Sequence, residues 1–196
     1  MIIYNPHKTE LIKKRIKIIE NILKDIPTKY CFISGSFLFK ENAKDIDVFV
    51  ISRTKKKFNL QNKKIKLSFI DFNKLYSLLY HSISKSCVSN EFLPLKDLKV
   101  TIADYWNVIN EAIPAVMNNN NFYKDIRSLI LYTEYFRTGE ILDSYQLNQK
   151  CKSFENKEQL IKYIEENVPL IIKNKIKRSY LRRFFYTQAA VYKESK

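Results

Sequence analysis

Apolar residues recur at intervals of three and four from Ile12 through Ile16, Ile19 and Leu23 to Ile26, with charged residues between them. That spacing lays one apolar stripe along a helix over residues 8–26, and Pro27 stops it. The period then shortens: residues 30–34 form a brief apolar run, 46–51 are largely β-branched, and 65–72 return to strand-like spacing. Three strands are predicted there, with the basic stretch 53–64 as a loop or hairpin connection. Residues 74–83 turn helical again. Thr101, with Asp104 three residues later, has the form of a capping box opening a helix through Val116, and Pro114 bends or ends that helix. The four asparagines at 118–121 make the sharpest break in the chain. Beyond them, helical patterns cover 122–138 with Gly139 as a C-cap, 156–167 up to Pro169, and a basic, aromatic-rich stretch over 170–192. Strands first and helices afterwards predict an α+β protein, with an α/β domain over 1–117 and a helical domain over 122–196.

Composition removes several function classes. No run approaches 18 apolar residues, so no membrane-spanning helix is expected. The N-terminus lacks a signal-peptide pattern, and the chain reads as cytoplasmic. Cys31, Cys87 and Cys151 are an odd number without metal-ligand spacing, which argues against a disulfide framework or a zinc site. His7 and His81 are the only histidines, leaving almost nothing from which to build a Ser-His-Asp triad or a Cys-His pair. The formal charge is +15, and it is clustered. Between Asp47 and Asp71 there is no acid but there are Arg53, Lys55, Lys56, Lys57, Lys63, Lys64 and Lys66. Between Glu166 and Glu194 the same holds, with Lys173, Lys175, Lys177, Arg178, Arg182 and Arg183. Such clusters attract nucleotide phosphates or an RNA backbone; a solvated lysine-rich surface has the same composition. Residues 173–185 interleave those cations with Tyr180, Phe184 and Phe185, a composition that suits base stacking and equally suits an amphipathic core helix.

The candidate chemistry lies between the first two strands. Gly35 is one of only two glycines and follows a buried strand directly. A glycine there lets backbone N–H groups approach an anion closely, and the Ser36 hydroxyl and the short helix after it add to the same pull. Asp45 and Asp47, at i and i+2, project from one face of the second strand, while Ile46, Val48 and Val50 face the core. Adjacent carboxylates repel, and a divalent cation between them relieves the cost. Mg²⁺ accepts one or two carboxylates plus substrate phosphate oxygens.

The unit Ile33-Ser34-Gly35-Ser36, eight residues, then Asp45-Ile46-Asp47-Val48 resembles the signature of the DNA polymerase β nucleotidyltransferase superfamily. The resemblance covers residues 10–80, with a slightly short spacer. It implies a small mixed sheet flanked by helices and followed by a helical bundle. It implies Mg²⁺ or Mn²⁺, a nucleoside triphosphate bound at Gly35 and Ser36, and catalytic, metal-binding carboxylates at Asp45 and Asp47. It also implies a third carboxylate on a neighbouring strand, for which Asp71 is the only local acid; in relatives the acid comes earlier, where this chain has Ser68. The acceptor hydroxyl implied is on RNA, tRNA included, or on a protein. A catalytically degenerate relative, binding nucleotide or RNA or serving in a toxin-antitoxin pair, has the same signature.

Overall fold

A computed structural model describes residues 1–54, 58, 64–118 and 126–186. The chain divides into two compact units, Met1–Lys99 with Asp143–Tyr145, and Val100–Leu142 with Gln146–Lys196. The expected boundary at the asparagine run therefore lies inside the second unit. The helix over Ile102–Asn118 belongs with the helices after it, because its apolar face packs on theirs.

The first unit is a five-stranded mixed sheet. Its strands are β1 (Ile2–Tyr4), β2 (Cys31–Ser34), β3 (Ile46–Ile51), β4 (Ile65–Ile70) and β5 (Cys87–Ser89). They lie in the order β1-β5-β2-β3-β4, all neighbours antiparallel except the parallel pair β3 and β4. The three central predictions hold, whereas β1 and β5 are three-residue strands too short to leave a pattern. A parallel β3–β4 pair excludes a hairpin between them. Most of the connecting basic stretch, with Lys55, Lys56, Lys57 and Lys63, lies outside the described residues.

Helix α1 (Thr9–Lys24) lays Ile12, Ile19, Ile22 and Leu23 on one face of the sheet, where they meet Ile33, Ile46, Val48 and Val50. The opposite face carries Phe32, Ile51, Leu75, Tyr80 and Cys87, and α2 (Leu78–Lys85) lies beside it in sequence. The predicted helix over 74–83 is a short 3-10 turn at Phe72–Lys74, then α2, whose first turn the Ser77 side chain caps.

The second unit is helical: α3 (Ile102–Asn118), α4 (Ile126–Thr138), most of α5 (Ser144–Lys152), α6 (Lys157–Asn167) and α7 (Leu170–Lys177). Its core includes Tyr105, Ile109, Ile113, Leu129, Leu160 and Ile172, all essentially inaccessible. The capping box is present: the Thr101 N–H donates to Asp104 at 2.8 Å and the Asp104 N–H to the Thr101 hydroxyl at 3.2 Å. Pro114 sits within α3, which runs on to Asn118, and Gly139 closes α4 at φ +77°. The basic stretch expected as one helix instead breaks after Lys177, with residues 182–186 helical again. Among the described residues no helix is long and apolar enough to cross a membrane.

Candidate functional site

Antiparallel pairing sets Ser34 of β2 against Asp47 of β3, and parallel pairing sets Asp47 against Lys66 of β4. Directly paired residues share a face. One row across the sheet therefore reads Tyr4, Cys87, Ser34, Asp47, Lys66, with Gly35 and Asp45 just beyond it.

Gly35 leaves the strand at φ +83° and ψ −159°, a region open essentially to glycine alone. A β-carbon there would lie 3.0 Å from Asp47 Oδ2. The turn thus leaves no room for a side chain beside the second carboxylate, which accounts for a glycine here in a chain so poor in them. Ser36 opens a 3-10 turn of three residues, Ser36–Leu38, closed by the Leu38 N–H donating to the Gly35 carbonyl at 3.0 Å. The turn is too short for a helix dipole of consequence. The N–H groups of Ser36 and Phe37, which precede the first bonded one, are the backbone donors it offers.

Arg15, on α1, fixes this turn from behind. Its guanidinium donates to the Phe37 carbonyl, to that of Lys40 at 3.0 Å and to that of Glu41 at 2.6 Å, and lies 4.5 Å from the centre of the Phe37 ring. In the sequence Arg15 reads as one more cation on the polar face of α1, and only the tertiary contact identifies it.

Asp71, the acid expected as a third carboxylate, stands apart from Asp45 and Asp47. Register between β3 and β4 is unbroken from Ile46 opposite Ile65 to Ile51 opposite Ile70, so no bulge turns Asp71 toward the pair. Asp71 follows the end of β4, five residues beyond Lys66 and roughly 16 Å along the strand. There its carboxylate accepts the Asn73 N–H at 3.0 Å and caps a 3-10 turn. Lys66 is the residue beside Asp47 and Asp45, and Ser68, opposite Phe49, is the next residue on that face.

The Lys66 ammonium pairs with the Asp45 carboxylate. That hydrogen bond and charge, with Asp47 behind them, raise the lysine pKa above its ordinary value. Lys66 is two-thirds exposed, so it can swing from the carboxylate to a phosphate. Among the described residues no cluster of three or more histidine, cysteine or acidic side chains forms a metal cage. Asp45 and Asp47 fit one divalent cation completed by ligand phosphate oxygens, the arrangement that Mg²⁺ accepts.

The short segment Asp143–Tyr145 supplies a second set of neighbours, which no local pattern in the chain foreshadows. The Ser144 hydroxyl is 3.1 Å from that of Ser34, the residue before Gly35, and Ser34 also donates to the Ser86 carbonyl at 3.2 Å. Asp143, 2% exposed, holds His7 Nε2 at 2.6 Å. The His7 ring stacks on Tyr145 with centroids 4.3 Å apart, and Tyr145 meets Phe39 edge-on. Comparison of the chain with protein-family models, curated proteins and solved structures gave no match.

Proposed function

We propose that this protein binds a nucleoside triphosphate with Mg²⁺ or Mn²⁺ and moves its nucleotidyl group to an acceptor hydroxyl, in the manner of the DNA polymerase β superfamily. The observation that carries the proposal is that Gly35, in a conformation open essentially to glycine alone, stands where any β-carbon would come within 3.0 Å of Asp47 Oδ2. Asp45 and Asp47 would hold the cation, which when bound neutralises the triphosphate and polarises its α-phosphorus. The N–H groups of Ser36 and Phe37 and the Ser36 hydroxyl would hold phosphate oxygens, and Lys66 would move from Asp45 to a phosphate. The acceptor oxygen bonds to the α-phosphorus, the bond to the bridging oxygen breaks and pyrophosphate leaves. With Asp71 remote, the acceptor proton passes to water or to the Asp45–Asp47 pair.

Lys66 favours a second reading. An ammonium stands beside the two carboxylates, and the next residue on that face of the strand is Ser68, not an acid. In that reading the protein binds nucleotide or RNA without turnover, as a degenerate relative or as one partner of a toxin-antitoxin pair.

One experiment separates them. The protein is incubated with each α-labelled triphosphate, Mg²⁺, total RNA and cell protein, and its melting temperature is measured with the same ligands. Transfer predicts label in RNA or protein that Asp45→Asn with Asp47→Asn abolishes. The degenerate reading predicts ligand-dependent stabilisation, lost in the same double variant, with no label anywhere. Neither label nor stabilisation would sink both.

A further inference from the structure

The helical unit carries a surface groove between α3 and α7, about 460 Å³ in volume, lined by Trp106, Ile171, Asn174, Lys175 and Arg178. Lys175 Nζ sits 5.6 Å from the Trp106 ring centre, near the outer limit of a cation–π contact, so the ammonium is loosely held on the indole. Ile171 is 55% exposed at the rim, and Leu170 beside it is exposed as well. Nothing acidic lines the groove.

The two cations of the lining have no acidic neighbour within it. Lys173, Lys177, Arg182 and Arg183 follow on the same stretch, and among the described residues neither they nor Lys175 and Arg178 form an ion pair. Two cations beside one aromatic surface, with four more on the same stretch of chain, suit a ligand that is both polyanionic and aromatic. An acidic peptide would satisfy the cations and leave the indole and Ile171 uncovered. A nucleic-acid strand satisfies both, since every base has a stacking face and every linkage a phosphate. Tyr180, hydrogen-bonded to the Asn110 carbonyl at 3.2 Å, stands exposed just past the helix and extends the aromatic surface. Phe185, by contrast, is core.

We infer that this groove binds single-stranded nucleic acid, with one base stacked on Trp106 and the flanking phosphates on Lys175 and Arg178. The inference is independent of the nucleotide site at Gly35. Trp106 is the only tryptophan in the chain, so its emission reports on this groove alone. The full-length protein is titrated at low salt with a short single-stranded RNA, the matching DNA, and linear polyphosphate. Both oligonucleotides should quench Trp106, a preference for one naming the natural strand, while polyphosphate binds without comparable quenching. Oligonucleotide affinity should fall with added salt. Trp106→Ala should cost about tenfold in affinity, Trp106→Phe less, and Lys175→Glu with Arg178→Glu at least as much as the alanine. The paired glutamates replace exposed side chains, so they carry the test even if Trp106→Ala fails to fold. Asp47→Asn should leave the titration unchanged. Binding without quenching, equal quenching by polyphosphate, wild-type affinity in the paired-glutamate variant, or loss of binding in Asp47→Asn would each overturn the assignment.

Discussion

Replacing Gly35 by alanine tests the centre of the proposed site, and its consequences can be worked in two parts. The first is strain. At φ +83° and ψ −159° an alanine occupies a region that costs roughly 1–3 kcal/mol. In a chain of this size each kcal/mol lowers the melting temperature by about 2–4 °C, so the unliganded variant should melt roughly 4–8 °C lower for a mid-range 2 kcal/mol. The second part is geometric. The new β-carbon, 3.0 Å from Asp47 Oδ2, obliges the carboxylate to turn away by a few tenths of an ångström. The carboxylate then presents a changed face to cation and phosphate. If nucleotide with Mg²⁺ at a hundred times Kd stabilises the wild type by about 2.7 kcal/mol, a tenfold loss of affinity leaves about 1.4 kcal/mol. The ligand-induced rise in melting temperature should therefore halve. Gly139→Ala is the control: that glycine also has positive φ, +77°, but a β-carbon there meets nothing within 4 Å. It should lower the unliganded melting temperature and leave the ligand-induced rise intact. Scanning calorimetry of the three proteins with and without ligand decides the matter. An unchanged rise in Gly35→Ala refutes the argument that this turn positions phosphate against Asp47.

Other sites make sharper tests of the fold. Arg15→Ala removes three donors from the carbonyls of Phe37, Lys40 and Glu41, and should cost about 1–2 kcal/mol and speed hydrogen exchange at the Phe39 and Lys40 amides. Unchanged exchange there would remove Arg15 from the support of the turn. Burial pushes the Glu134 pKa up, but hydrogen bonds from Tyr163, Arg137 and Lys150 outweigh it and hold the native value below the ordinary one. A depressed carboxylate stabilises the fold fully above its unfolded pKa and loses that contribution as pH falls through the native one. Glu134→Gln should therefore cost about 2–3 kcal/mol, less than a fully buried pair because Arg137 and Lys150 can turn to solvent. In urea titrations its deficit should be constant from neutral pH to about pH 5 and shrink below about pH 4; a deficit growing toward acid would reverse the assigned sign. Cys31, Cys87 and Cys151 are buried, which raises all three thiol pKa values, Cys31 to about 12 and Cys151 to about 11. A disulfide reagent at pH 8 should modify none in the native protein and all three in urea. Rapid native labelling would contradict the burial of these strands and of α5.

The long elements were legible because their burial is one-sided. Ile12, Ile19 and Leu23 repeat with the helical period since only one stripe of α1 touches the sheet, and Ile46, Val48 and Val50 repeat by two for the same reason. β1 and β5 could not be read: three residues make less than two periods, and β5 is buried throughout. Its identity depends on pairing with β2 across more than fifty residues. The division into two compact units is harder to read. The asparagine run stands between two helices of one unit, whereas the division between units falls at Lys99, where the irregular stretch before it has Pro94 as its one proline and no glycine.

At the site, local signals were readable and pairing was not. Gly35 and the i, i+2 spacing of Asp45 and Asp47 are fixed within one strand-turn-strand, so the sequence contains them. Asp71 is the only acid in its stretch, but being the only acid says nothing of register. Asp47 falls opposite Lys66 because β4 runs parallel to β3, and parallel strands put their matching ends on the same side of the sheet. Had β4 run antiparallel, the end of the strand near Asp71 would have lain beside the start of β3. Strand direction thus decides between a third carboxylate and an ammonium. It also decides what a designed variant should do. Lys66→Asp puts an acid beside Asp45 and Asp47, removes the ammonium from Asp45 and adds repulsion. It should destabilise the metal-free protein while increasing its stabilisation by Mn²⁺ with nucleotide. If a third acid is all that separates the second reading from turnover, Lys66→Asp should also label an acceptor that the wild type does not. Equal stabilisation by Mn²⁺ and nucleotide in wild type and Lys66→Asp would show that this position does not face the ligand.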